Sequence, residues 1–158
     1  MPFQSATRNP HALFVIEGEC HRPQAFSHLD LSSVHPYYQV ADLATVDERL
    51  AGKGVRLRKL IDLVGPGYNT AWLTFESIEG FAACLPLHEV ARTGVIVYEK
   101  GGRPLAREEG GPARLVVPYH PDACANVKAL ARIVISQAPG KDTRPSGRAA
   151  NSPAVAPS

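Results

Sequence analysis

Apolar positions along the chain change spacing from segment to segment, and each spacing predicts an element. The run "ALFVIEGE", closed by Gly18, predicts a first strand, and Pro23 ends that unit. In "FSHLDLSS" Ser27 stands three residues ahead of Asp30, a helix-start pattern that leads into a turn or two of helix. "YYQVADLATV" mixes β-formers with Ala and Asp and fits strand or coil. In "GKGVRLRKLIDLVGPG" the residues Val55, Leu57, Leu60, Ile61 and Val64 recur at helical intervals, and Gly65-Pro66-Gly67 supplies a stop and a turn. A short amphipathic helix is expected there. "AWLTFES" and "GFAACLPL" read as a hairpin with Gly80 at its turn, and "HEVART" as at most one helical turn. "GVIVYEK" predicts a buried strand, Gly101-Gly102 a turn, and "ARLVVP" and "VKALARIVIS" two further apolar, β-branched segments.

After Gln137 the pattern stops. "APGKDTRPSGRAANSPAVAPS" is rich in Pro, Ser, Ala and Gly, with almost nothing to bury, so residues 138–158 are expected to be a disordered tail. Residues 1–11 are polar and read as a loose N-terminus, which leaves 12–137 as one domain. A chain of 158 residues is long enough to build a single core without disulfide or metal staples. Several strands, two or three short helices and no regular βαβ alternation predict the α+β class, with β-rich mixed sheets.

Composition narrows the function by exclusion. Seventeen basic and fifteen acidic residues are scattered along the chain, and no charged block would track a nucleic acid or an anionic membrane. No run of eighteen apolar residues exists, and "MPFQSATRNP" lacks the pattern of a signal peptide, so a soluble, cytoplasmic chain is expected. Cys20, Cys84 and Cys124 are odd in number and widely spaced, which fits reduced thiols and neither a disulfide framework nor a CxxC site. The six histidines form no HxH or HExxH pattern, and no protein-only metal site is expected.

The segments "GVRLRKLIDL", "EGFAACLPL", "YEKGGRPL", "GGPARLVVP" and "NVKALARI" follow one another in a telling order across roughly residues 12–136. Each is weak alone. In this order the chain resembles the molybdopterin-binding domain of the sulfite oxidase family of oxidoreductases. The resemblance implies that fold, a molybdopterin cofactor, and a protein redox partner or subunit. It also implies cofactor contacts at Arg114, the arginine of GxPxR, at Lys128, and at Asn126 two residues before that lysine. The pterin ends in a phosphate, and such a dianion needs fixed donors: a guanidinium fork, an ammonium and free backbone N–H groups. Gly110 and Gly111 would let backbone approach the ligand closely.

The chain also departs from the family. The cysteine thiolate that binds molybdenum belongs in "YYQVADLATVDERLAGKG", which holds no cysteine; Ala41 or Asp42 stands in its place, and a carboxylate is a harder ligand than a thiolate. Of the arginines that would grip an oxyanion substrate there, only Arg49 is present. The family's histidine ahead of GxPxR is Glu109, which repels a phosphate unless it is protonated or turned away. Cys20 and Cys84 read as packed thiols, whereas Cys124 shares the loop of the implied phosphate contacts, at the end of the pterin away from the metal. His88 and Glu89 suit a helix start, and Trp72 and Tyr98 a core. The plain alternatives are that Arg114 pairs with Glu108 or Glu109, that Lys128 is a solvated charge, and that Asn126 makes a turn. Two functions stay open: a molybdopterin-binding oxidoreductase-like domain that binds a pterin phosphate, with or without independent catalysis, and a noncatalytic scaffold or protein-interaction module that has lost the cofactor.

Overall fold

The structure is a computed structural model that describes residues 9–145. Asn9–His11 form a turn, with the Ala12 N–H donating to the Asn9 carbonyl at 3.0 Å, and lead into β1 (Ala12–Gly18) and β2 (Gln24–Ser27). Next come α1 (His28–Ser32), β3 (Gln39–Val40), β4 (Lys53–Arg56) and α2 (Leu57–Val64). The hairpin β5 (Trp72–Ser77) and β6 (Ala82–Pro86) precedes α3 (Leu87–Thr93), β7 (Val95–Lys100) and β8 (Arg103–Pro104). The last strands are β9 (Arg114–Val116) and β10 (Leu130–Ser136).

These strands form two sheets. The first runs β2-β1-β10-β5-β6, with β1 and β10 parallel and the other pairs antiparallel. The second runs β3-β4-β7-β8, and β7 also pairs with β9 through Val95–Val97. Mixed sheets with short helices are the α+β architecture that the segment pattern predicts.

Phe14, Ile16 and Ile133 from the first sheet, Leu60 and Ile61 from α2, and Ile96 and Tyr98 from the second sheet share one core. Val95 and Val97 point the other way, into a smaller cluster with Val40, Leu43, Leu105 and Val116. A strand buried on both faces needs apolar residues at every position, which is why "VIVY" runs unbroken. The Tyr98 hydroxyl donates to Gln39 Oε1 at 2.7 Å, and burial pushes its pKa up to about 12. Trp72 is only half-buried, at the start of β5.

Local signals explain most boundaries. Ser27 Oγ accepts from the Asp30 N–H at 3.1 Å, and the Asp30 carboxylate accepts from the Ser27 N–H at 2.8 Å, closing the capping box at α1. The helical spacing that begins at Val55 starts too early, because Lys53–Arg56 pair with β7 and helix begins only at Leu57. Gly54 makes that pairing possible: a Cβ there would lie 2.6 Å from the Ile96 carbonyl oxygen. α2 ends on Gly65 in the left-handed region, φ 67°. α3 is longer than the single turn expected, with Glu89 in its first turn and Arg92 in its last, each suited to the helix dipole. "YYQVADLATV" folds as two 3-10 turns around the two-residue β3, and Asp42 caps the second by accepting from the Ala44 N–H at 3.0 Å.

The tail departs from its composition. Residues 138–145 lie along the open edge of β6: the Thr143 N–H donates to the Ala82 carbonyl at 2.9 Å, and Thr143 Oγ1 accepts from the Ala82 N–H at 3.0 Å. The segment is held by hydrogen bonds and charge, which a count of apolar residues does not register. Residues 146–158 and 1–8, also expected to be loose, lie outside the described residues. Among the described residues, no helix is long and apolar enough to cross a membrane.

Candidate functional site

A cleft of ≈ 370 Å³ opens where the chain ahead of β4, the end of β7, the connection after β8, and β9 meet Lys128. Arg49, Lys100, Arg114 and Lys128 line it together with Glu108 and Glu109. Backbone pairing brings Arg114 and Lys128 together. The Ala129 N–H donates to the Gly110 carbonyl, the Leu130 N–H to Ala113 and the Leu115 N–H to Val127, each at 2.8 Å, so residues 110–115 and 127–130 run side by side. Gly110 ends the 3-10 turn Arg107–Glu109 at φ 94°, and a Cβ there would sit 3.0 Å from Arg114 Cδ and 3.2 Å from Lys128 Cγ. The missing side chain is therefore the space between the two cationic stems.

Arg114 forms no carboxylate pair among the described residues. Its Nη1 donates to the Glu109 carbonyl at 3.3 Å, and its Nε is buried with no hydrogen-bond partner. Burial holds its pKa below the ordinary arginine value. An unanswered buried donor costs on the order of 1–3 kcal/mol, more when charged. Lys128 is exposed and makes no ion pair among the described residues.

Glu109 lines the cleft, and both of its carboxylate oxygens already have partners. One carboxylate oxygen accepts from the Ala106 N–H at 2.9 Å and the other lies 3.5 Å from Lys100 Nζ. The Ala106 N–H, then Lys100, hold its pKa below the ordinary glutamate value. A depressed carboxyl adds stability that is complete above its unfolded pKa and disappears as pH falls through its folded one. The urea midpoint of Glu109→Gln should therefore lie below that of the parent chain near about pH 6, with the gap closing toward about pH 3. A gap constant across that range would show that the carboxylate plays no such part.

The remaining sequence-derived candidates are placed differently. Asn126 Oδ1 accepts from the Val117 N–H at 2.7 Å, tying the 118–125 loop to the end of β9, and Asn126 is not among the residues lining the cleft. Gly111 is needed for chain packing, since a Cβ there would collide with the Leu105 carbonyl, and its close approach is to that backbone. Cys20 and Cys84 are buried, with burial raising the Cys20 thiol pKa, and Cys124 is exposed on the 3-10 turn Ala123–Ala125. None of the three lines the cleft. Among the described residues, no group of three or more His, Cys, Asp or Glu is placed to hold a metal ion.

Sequence reading missed Lys100 and the support beneath Arg49. Arg49 grips the buried Asp47 with two bonds, Nε to Oδ1 at 3.0 Å and Nη2 to Oδ2 at 2.8 Å, and lies 5.2 Å from the centre of the Tyr119 ring. The two-residue spacing in "DER" was the available signal for the first contact. Lys100, at the end of β7 in "YEKGG", carries nothing that separates it from a solvated strand end. The arrangement suits a small, highly charged anion and offers no soft donor for a redox metal.

The sequence profile of the family described as "oxidoreductase molybdopterin binding domain" matches residues 2–143. A search of curated proteins finds no match. Among solved structures, the chain is similar to the sulfane dehydrogenase SoxCD from Paracoccus pantotrophus, at 22% identity and a TM-score of 0.62. The likeness covers 80% of this chain and 38% of that one, so the chain spans well under half the length of its structural neighbour. At that identity the likeness concerns the fold.

Proposed function

Because the chain belongs to the oxidoreductase molybdopterin binding domain family, we propose that the cleft between Arg49, Lys100, Arg114 and Lys128 receives the phosphate-bearing end of molybdopterin. The observation that carries this reading is that Arg114 lines the cleft with no carboxylate partner among the described residues and with its Nε unanswered. Arg114 would offer a planar fork to two phosphate oxygens, and Lys100 and Lys128 would act as point charges beside it. Gly110 leaves the room between them, and Asn126 supports the site from behind by fixing the loop to Val117.

Bound, this cofactor supplies a redox-active molybdenum carried on the pterin. The chain's own contribution is to bind and orient the anionic end. A protein redox partner or partner subunit fits a domain whose 37–54 segment holds no cysteine, and an odd number of widely spaced cysteines suits the cytoplasm. The test is to purify the chain from cells that make the cofactor and to measure pterin by fluorescence after oxidation. Stoichiometric pterin is expected. Its complete absence would favour the reading of a scaffold that has lost the cofactor.

A further inference from the structure

We infer that this chain holds the pterin reversibly by its anionic end alone, with no protein ligand to the metal, and so acts as a carrier that delivers the cofactor to another protein. The inference rests on the phosphate reading above and extends it to what happens at the other end of the ligand. To fix a molybdenum carried on a pterin, a protein needs a soft donor beside the cleft. The lining offers ammonium and guanidinium groups, which do not ligate metals when charged, and two carboxylates. One of those, Glu109, is already engaged with the Ala106 N–H and Lys100. The thiols are elsewhere: Cys20 and Cys84 are 1% and 0% exposed in the core, and Cys124 stands outside the cleft.

The cations themselves point to release. The Arg49 and Lys100 side chains are 68% and 45% exposed, and Lys128 is exposed as well. Ion contacts so open to water are each weak and screened by salt. Only Arg114 is substantially withdrawn from solvent. One strong donor with three solvated ones holds a dianion firmly enough to protect it and loosely enough to give it up. A metal–thiolate bond would add a tether that such a carrier has to lack.

The experiment uses the full chain, purified from cells grown with and without molybdate, then passed through desalting at low salt and at about 0.5 M salt. Pterin and molybdenum per chain are measured in each fraction, and the loaded chain is mixed with a cofactor-free molybdenum enzyme and separated again. Pterin content should agree within about twofold between the two growth conditions, and the high-salt wash should remove most of it. In the mixing arm, pterin should appear on the acceptor. Pterin retained at least about tenfold better from molybdate-grown cells, with matching molybdenum that survives high salt, would overturn the inference while leaving the phosphate site intact. Pterin that stays on the chain in the presence of the acceptor would also overturn it. Absence of pterin under every condition would overturn the phosphate reading as well.

Discussion

Replacing Arg114 with alanine is expected to strip the chain of pterin while leaving the ligand-free fold as stable as before, or slightly more so. Two opposite terms lead to this. With the anion bound, Arg114 supplies a charge-assisted contact worth roughly 1.5–3 kcal/mol, so its loss weakens binding by about 10- to 150-fold. Without the anion, its buried Nε has no partner and its contact with the Glu109 carbonyl is long, at 3.3 Å, so truncation removes a desolvated charge along with one weak bond. Lys128→Ala, at an exposed position, should cost less, about three- to tenfold. The measurements are pterin per chain after purification and the urea unfolding midpoint of ligand-free protein. If Arg114→Ala unfolds several kcal/mol more easily, on the scale of about 3 kcal/mol for a broken buried network, the residue serves the fold and the site assignment fails.

That Arg114 has a buried Nε with no partner could not be read from the sequence. GxPxR marks Arg114 only through the order of motifs around it, and the residue type says nothing of whether a carboxylate answers it. The candidates Glu108 and Glu109 stand six and five residues away and suggest a simple ion pair, yet Glu109 contributes its carbonyl and spends its carboxylate on Ala106 and Lys100. Gly110 and Gly111 look equivalent as letters, but one leaves space between cationic stems and the other packs against the Leu105 carbonyl. Strands and caps were more legible, because alternation, the Ser27–Asp30 spacing and Gly65 act locally. Val55 was misplaced because helical spacing carried on into residues that long-range pairing with Ile96 holds as strand. Burial in a two-sided strand also explains why "VIVY" was read correctly: no polar residue breaks it until Glu99.

The tail misled for a different reason, and it carries the largest expected effect on stability. Arg144 is 2% exposed despite a setting of Pro, Ser and Lys. Its Nε and Nη2 bond Asp142 at 3.0 and 2.8 Å, Nη2 donates to the Cys84 carbonyl at 2.9 Å, and Nη1 reaches Asp122 at 3.3 Å. Burial disfavours its charge, but the hydrogen bond to Asp142 and the attraction of Asp142 and Asp122 more than offset that, and its pKa stands above the ordinary arginine value. Arg144→Ala takes the guanidinium away from two carboxylates that are themselves 5% and 19% exposed. Breaking a buried pair in this way costs about 3–5 kcal/mol, which at this size is a fall in Tm of roughly 10 °C. The effect should reach the cleft, because Asp122 caps the 3-10 turn by accepting from the Cys124 N–H at 2.9 Å in the loop that leads to Asn126 and Lys128. Pterin retention should therefore fall in a variant that touches no residue of the site. The double variant with Asp142→Ala should lose less stability than the two single variants summed, since both remove the same Arg144–Asp142 bonds. A single variant within about 1 kcal/mol of the parent would mean that residues 138–145 only rest on β6 and do not hold it.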